Sequence, residues 1–351
     1  MATGAVRDEG ELRDGLVRWL RDRHPDRDGL AIDGFERASE GFSNETVLLT
    51  ARWTVPGDVA EDRLVVRIPA VEAMHPDCDL DVEAATHTAL AAAGVPAPVP
   101  SVVEHDHSYL GVDFLVMPFV AGHVGPQTPV IDPWLLGLTP ADQRRVADAF
   151  VDLLARVHRV DVTGTGLAPR LHGPGGTLAD EVGWWARYVD WAGDAEPAPT
   201  VVRDLLAWCA ENAPASEPPA ALLWGDARLG NAIFAADLAV AAALDWDMAF
   251  VGPPEHDLGW YLALDELTSS LLDRRIPGFP DRATAVARYE QQLGRSVVDL
   301  EWYEIFALVR SIAVAYRLHR LAAGAGRPDV MPPPSDSPVV TYAQVRIDAF
   351  A

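Results

Sequence analysis

The chain has 351 residues, 49% of them hydrophobic, enough to bury a sizeable core in one large domain or two lobes and to exclude a disordered protein. Its 28 basic residues against 52 acidic ones leave a net charge of -24, the wrong sign for a nucleic-acid surface, whose phosphates need basic partners. Such acidity is expected to serve solubility first, while tolerating cationic ligands. Every one of the 28 basic residues is Arg; the sequence contains no Lys. Cys78 and Cys209 stand apart, without the paired spacing of a zinc site or a disulfide framework. The opening "MATGAVRDEGELRDGL" lacks the apolar run of a signal peptide, and no apolar stretch reaches membrane-spanning length. A cytoplasmic location without membrane or nucleic-acid partners is therefore the expectation, and the oligomeric state is not legible.

In chain order, a short helical extension at the N-terminus precedes β-rich runs at Glu45 to Trp53, Arg63 to Ile68 and Gly111 to Val120. Between the last two, "DCDLDVEAATHTALAAAGVPAP" spaces its apolar residues as a helix does, with Gly94 and Pro96 as the stop. A connector at Met117 to Gly122 follows, and beyond it the period becomes helical. "TPADQRRVADAFVDLLARVHRV", "LADEVGWWARYVDWAG", "TVVRDLLAWCAENA" and "DLEWYEIFALVRSIAVAYRLHRLAAG" are the helix candidates, and Thr139 before Pro140 supplies a cap and first-turn pair. "GDAEPAPT" and "MPPPSDSP" read as loops, and there is no internal repeat. The expected plan is a small β-rich lobe over residues 1–120 and a larger helical lobe over residues 121–351.

Within the second lobe, "LLWGDARLGNAIFAADLAVAAALDWDMAF" (Leu222 to Phe250) sets Asp226, Asp245 and Asp247 at the ends of apolar runs. An unpaired buried charge costs several kcal/mol, so a cation is expected to compensate these carboxylates. Gly225 and Gly230 permit the turns of "GDARLGN", and "AIF" can pair with "VAAALDWD" as a hairpin that carries Asp245 to a strand end. A single Asp on a Gly-flanked loop is usually a turn residue. The ordered set points further, because phosphoryl transfer needs a carboxylate for the attacking hydroxyl, an amide and a carboxylate for Mg2+, and a cation near the γ-phosphate. Asp226, Asn231, Asp245 and Arg228 fill those places.

At these residues the chain resembles the aminoglycoside phosphotransferase family, which has an α+β, bilobal protein-kinase-like fold. The family's catalytic loop reads H-G-D-x-x-x-x-N where this chain has "WGDARLGN", and its metal aspartate lies in I-D-W-[DE] where this chain has "LDWD". The resemblance implies that Asp226 is catalytic, that Asn231 and Asp245 hold Mg2+, and that Asp247 assists the metal or the loop. Asp257, in "GPPEHDLGWYLA", would be structural. The departure is Trp224 in place of a histidine that supports the loop. In the small lobe, "SEGFSNETVLLTARW" is similar to a phosphate-covering loop with Gly41, Ser43 and Asn44 at its tip. Arg67 of "RLVVRI" takes the place of the missing lysine on the phosphates, with Glu83 as its helix partner. Met117 to Val120 resembles the hinge whose backbone holds the adenine, with Met117 and Phe119 as the named contacts. The resemblance spans roughly residues 30 to 320.

The expected function is an ATP-dependent small-molecule O-phosphotransferase that moves the γ-phosphate to a substrate hydroxyl with Mg2+; GTP is the alternative nucleotide. The first rival is a catalytically inactive kinase-like module, suggested by Trp224 and Arg67 and opposed by the presence of both aspartates. The second is an aspartyl-phosphate phosphatase read from the D-x-D of "LDWD", opposed by its late position and by the absence of Lys. For the acceptor, "DEVGWWARYVDWAGDAE" sets carboxylates beside Trp184, Trp185 and Trp191, and a helix with core tryptophans and a wet acidic face is favoured over a polycation site. Members of the resembled family phosphorylate amino sugars, choline, homoserine and macrolides. The "GDARLGN" wording is most similar to kinase-like domains found beside acyl-CoA dehydrogenases, so a hydroxyacyl compound or other metabolite is as much expected as an antibiotic.

Overall fold

Alternation is clearest where residues 44–55 face a neighbour on each side. In β2 (Asn44–Val55), Val47, Leu49, Ala51 and Trp53 all point inward and are buried, as a period of two requires. β2 pairs antiparallel with β1 (Asp28–Arg37) on one side and with β3 (Asp58–Pro69) on the other. The two central strands run longer than the apolar runs alone suggest, because the ladder continues from Asn44↔Pro69 to Val55↔Asp58. The sheet is completed by β4 (Val102–Glu104) and β5 (Phe114–Pro118), in the order β1-β2-β3-β5-β4. Helix α1 (Glu9–Arg23), capped by Asp8, places Leu12, Leu16, Trp19 and Leu20 on the buried face of this sheet. Helix α2 (Leu80–Ala92) follows β3 in the chain and carries Glu83.

The computed structural model describes residues 7–37, 44–55, 58–76, 79–167, 176–194, 197–327, 329 and 331–350. It separates into two compact units: Met1–Thr88 with Pro98–Val120, which holds the five-stranded sheet, and Ala89–Ala97 with Ala121–Ala351, which is mainly helical. The chain is thus α+β, with its sheet-rich region first and its helical region after it.

The second unit begins with β6 (His123–Val124) and α3 (Pro133–Gly137), followed by α4 (Pro140–Val157), whose cap is Thr139 with Pro140 in the first turn. A single turn, α5 (Val162–Thr165), precedes α6 (Leu178–Gly193) and α7 (Thr200–Glu211). Next come β7 (Ala221–Leu223), β8 (Ala232–Phe234), β9 (Val240–Ala243) and β10 (Phe250–Gly252). Helices α8 (Glu255–Leu271), α9 (Arg282–Leu293), α10 (Leu300–Gly324) and α11 (Pro338–Asp348) close the chain. α10 is the hub, packed against α6, α7, α8 and α11, while α4 packs against α9. β8 and β9 form the expected hairpin, with β6 beside β8. "MPPPSDSP" is a loop only in part: Pro334–Asp336 makes a 3-10 turn and Pro338 already begins α11, because Pro is well suited to a helix's first turn. Among the described residues no helix is long and apolar enough to cross a membrane.

On α6 the tryptophans serve packing. Trp185 is buried, Trp184 stacks on Tyr188, and Arg317 lies over the Trp191 ring at 4.4 Å. Of the carboxylates, Asp180 closes a capping box with Thr177 and Glu181 is buried. The buried Trp185 matches the favoured reading of a helix with core tryptophans, while the buried Glu181 departs from its wet acidic face.

Candidate functional site

The segment 224–231 leaves β7 at a buried anchor. Asp257, fully buried at the start of α8, accepts from the backbone N–H of Trp224 at 2.6 Å and of Gly225 at 2.9 Å, and from His158 Nε2 at 3.0 Å. A carboxylate in the first turn of a helix is also favoured by the helix dipole. The charge that would otherwise cost several kcal/mol is therefore compensated, and the turn is fixed. Gly225 has a φ of 82°, and a Cβ there would lie 2.0 Å from Met248 O, so no other residue fits without a shift. Behind the turn, the buried Arg310 donates to Gly225 O at 2.8 Å and lies over the rings of Trp260 and Trp185 at 4.8 and 5.2 Å. Burial lowers the pKa of its guanidinium, against the opposing pull of Glu181, Asp257 and Asp226.

Asp226 projects from this turn. Its Oδ2 accepts from Arg228 Nε at 2.8 Å and Asn231 Nδ2 at 2.9 Å, and its Oδ1 accepts from Trp260 Nε1 at 3.0 Å. Asn231 Nδ2 also bonds Asp226 O at 2.9 Å, which fixes the amide by its nitrogen and leaves the carbonyl oxygen as its acceptor atom. Burial works against the Arg228 charge, but Asp226 and, more weakly, Asp245 outweigh it and raise its pKa. Nη1 of Arg228 donates to Gln127 Oε1.

The second aspartate is joined to this loop through backbone. Leu244 N donates to Asn231 O at 2.8 Å, and Trp224 Nε1 donates to Leu244 O at 2.8 Å and to Asp245 O at 3.1 Å. The Trp224 ring is fully buried and stacks on Trp246 at 5.1 Å. Asp245 lies two residues beyond the end of β9 with a φ of 61°, a left-handed conformation that a side chain adopts only where its surroundings impose it. Asp226, Arg228 and Asn231 thus share side-chain hydrogen bonds, and the Asp245 turn is tied to them through the backbone and the Trp224 indole. Among the described residues no group of three or more His, Cys, Asp or Glu could hold a metal by itself. The hard oxygens of Asn231 and Asp245 still fit Mg2+, which is bound by one or two carboxylates with the remainder from substrate phosphates and water.

In the first unit, Arg67 on β3 and Glu83 on α2 are both buried and form an ion pair. Asn44 is buried at the start of β2, and Ser43, like Gly41, lies outside the described residues. Met117 is buried on β5 opposite Val65. Phe119 N donates to Arg63 O at 2.9 Å, and the Arg63 guanidinium lies over the Phe119 ring at 3.7 Å. Backbone groups of an antiparallel strand face its two sides alternately. Met117 and Phe119 therefore turn their amides toward β3, while Pro118 O turns away from it.

Trp260, Arg310 and Gln127 carry no sequence motif of their own; Trp260 alone falls in a stretch, "GPPEHDLGWYLA", marked by the family resemblance.

The family model described as the phosphotransferase enzyme family matches residues 34–323. Among curated proteins, acyl-CoA dehydrogenase family member 11 is 33% identical over 183 residues in Gallus gallus and 30% identical over 183 residues in Homo sapiens. Each match takes in 52% of this chain but only 22% of the relative's length. Among solved structures, a Ralstonia eutropha JMP134 protein described as an aminoglycoside phosphotransferase superposes with a TM-score of 0.65 at 23% identity, covering 95% of this chain and 94% of that one. Macrolide 2'-phosphotransferase type I gives a TM-score of 0.57 at 16% identity, covering 97% and 98%. A thermostable mutant of aminoglycoside phosphotransferase APH(4)-Ia, in ternary complex with ADP and hygromycin B, gives 0.56 at 14%, covering 95% and 96%. These likenesses show a shared protein-kinase-like fold.

Proposed function

The chain belongs to the phosphotransferase enzyme family, and on that premise we propose that it is an ATP-dependent small-molecule O-phosphotransferase. The observation that carries the reading is the hydrogen-bonded set joining Asp226, Arg228 and Asn231 to the Asp245 turn. In this reading Asp226 faces the acceptor hydroxyl and aligns it for attack. Arg228, whose charge the two aspartates favour, neutralises the γ-phosphate as it is transferred. Asn231 Oδ1 and the Asp245 carboxylate would hold Mg2+, which when bound supplies charge neutralisation at the phosphates. Because the transition state of phosphoryl transfer is loose, positioning and charge matter more than a strong base.

The first unit would bind the nucleotide. Arg67, held by Glu83, would bond phosphate oxygens through its planar fork, the role a lysine has in related folds. Asn44, and Ser43 beside it, would contribute to the phosphate-covering loop. Pro118 O and Val120 N–H would be the backbone pair for an adenine edge, with Met117 and Phe119 contributing side-chain contact.

The inactive-module reading leans on Trp224, yet the Trp224 indole supports the loop by bonding Leu244 O and Asp245 O. Hydroxylated small metabolites, hydroxyacyl compounds among them, are the proposed acceptors. The test is a screen of such compounds for transfer of labelled γ-phosphate from Mg-ATP. A labelled product is expected with the parent protein and not with Asp226→Ala. ATP binding without transfer to any acceptor would favour the binding-module reading.

A further inference from the structure

A carboxylate offers about four lone-pair positions. Among the described residues, Asp226 has Oδ2 engaged by Arg228 Nε and Asn231 Nδ2, and Oδ1 engaged by Trp260 Nε1. One position on Oδ1 remains. An arginine beside a carboxylate prefers a two-pronged contact; with Nε on one oxygen the second prong is Nη2, as in the Arg288–Asp152 pair, and Nη2 on Oδ1 would fill that position. Here Arg228 meets Asp226 through Nε alone, and its Nη1 is turned to Gln127 Oε1.

Gln127 is itself held in place. Gly125 N donates to Ala232 O at 2.8 Å, and Arg274 Nη1 donates to Val130 O at 3.3 Å, so the chain is pinned on both sides of it. Its side chain lies over Gly230. A Cβ at that residue would stand 2.7 Å from Gln127 Cδ and Oε1 and 2.8 Å from Nε2. The glycine of "GDARLGN" thus makes room for this side chain, a second and independent feature built around Gln127.

We propose that Gln127 is a positioning residue for phosphoryl transfer: by holding Nη1 it fixes the rigid plane of the Arg228 guanidinium, keeps Nη2 from turning onto Oδ1 of Asp226, and reserves the last acceptor position of that carboxylate for the substrate hydroxyl. This rests on the reading of Asp226 as the residue facing that hydroxyl. Removing the Gln127 acceptor should let the guanidinium rotate onto both oxygens of Asp226. Binding of ATP should be untouched, while the transition state loses its aligned nucleophile.

The test uses the full chain with Gln127→Ala, Gln127→Glu and Gly230→Ala. Crystal structures of the parent and Gln127→Ala are compared for the Arg228–Asp226 contact, and Mg-ATP turnover is measured with water as the acceptor. Gln127→Ala should show the two-pronged contact and a kcat lowered roughly tenfold to a hundredfold, the scale of an ångström-level misplacement, with KM for ATP unchanged. Gly230→Ala, which displaces the Gln127 amide, should reproduce that contact. Gln127→Glu still offers an oxygen to Nη1 and should retain most of the parent kcat. A one-pronged contact unchanged in Gln127→Ala would overturn the proposal, as would a raised KM with kcat intact. A parent without turnover would count against the phosphotransferase reading alone, and the crystal structures would still decide the role of Gln127.

Discussion

Trp224 stands where the resembled family has a histidine, and its indole joins two jobs. The ring fills the core between Trp246 and Phe150, and Nε1 donates to the carbonyls on either side of the Leu244–Asp245 peptide. Trp224→Phe keeps most of the stack and removes the donor of a partly buried hydrogen bond, so about 0.5–1.5 kcal/mol of stability should be lost. Trp224→His retains one donor but leaves a void, so urea unfolding should find it the less stable of the two. Its response to Mg-ATP should nevertheless be the better preserved, because the donor is what fixes the Asp245 turn. If Trp224→Phe matches the parent in both stability and Mg-ATP response, the indole N–H has no part in the site. At this scale the motif residues were legible because Asp226 and Asn231 lie close together at a spacing the chemistry demands. Trp260, Arg310 and Gln127 reach the same loop across 34, 85 and 101 residues, distances over which no local pattern survives.

Among the elements, long ones declared themselves and short ones did not. β2 alternates from Val47 to Trp53, and α4 announces its start with Thr139 and Pro140, whereas β4, β7 and β10 span three residues each, too few for a period to show. Yet β4 does much to hold α1 in place. Its Glu104 accepts from Trp19 Nε1 at 2.9 Å and Arg23 Nη2 at 2.7 Å on that helix, and from Asp106 N at 2.9 Å. Burial opposes the Glu104 charge, but Arg23, the Asp106 amide and Trp19 outweigh it and lower its pKa from 4.5 to about 2. A folded-state pKa below the unfolded one stabilises the fold above the unfolded value, and that stability is lost as pH falls from about 4.5 toward 2. The gap corresponds to roughly 3 kcal/mol. Glu104→Gln should therefore lose up to about that much at pH 7, and the difference from the parent should shrink toward pH 2. Parallel pH–stability curves for the two proteins would show that Glu104 does not tie α1 to the sheet.

For the molecule as a whole, the shift from a period of two to a helical period made the α+β plan readable. The membership of Ala89–Ala97 in the second unit was not, since it depends on contacts such as Ala243 N to Pro96 O at 2.9 Å, between residues far apart in sequence. The absence of Lys also has a global consequence: a permanently cationic side chain on phosphate has to be Arg, the role proposed for Arg67 and Arg228. The proposed function gives Asp226 and Asp245 different jobs, one facing the acceptor and one holding the metal. Ligands that bind the folded state raise its stability by mass action, about 2.7 kcal/mol at a concentration of 100 times Kd, so thermal unfolding with ATP, with and without Mg2+, reads both jobs directly. The parent and Asp226→Ala should both gain a magnesium-dependent increase in Tm, while Asp245→Ala should gain little beyond the effect of ATP alone. A full magnesium-dependent shift in Asp245→Ala would mean that Asp245 does not hold the metal.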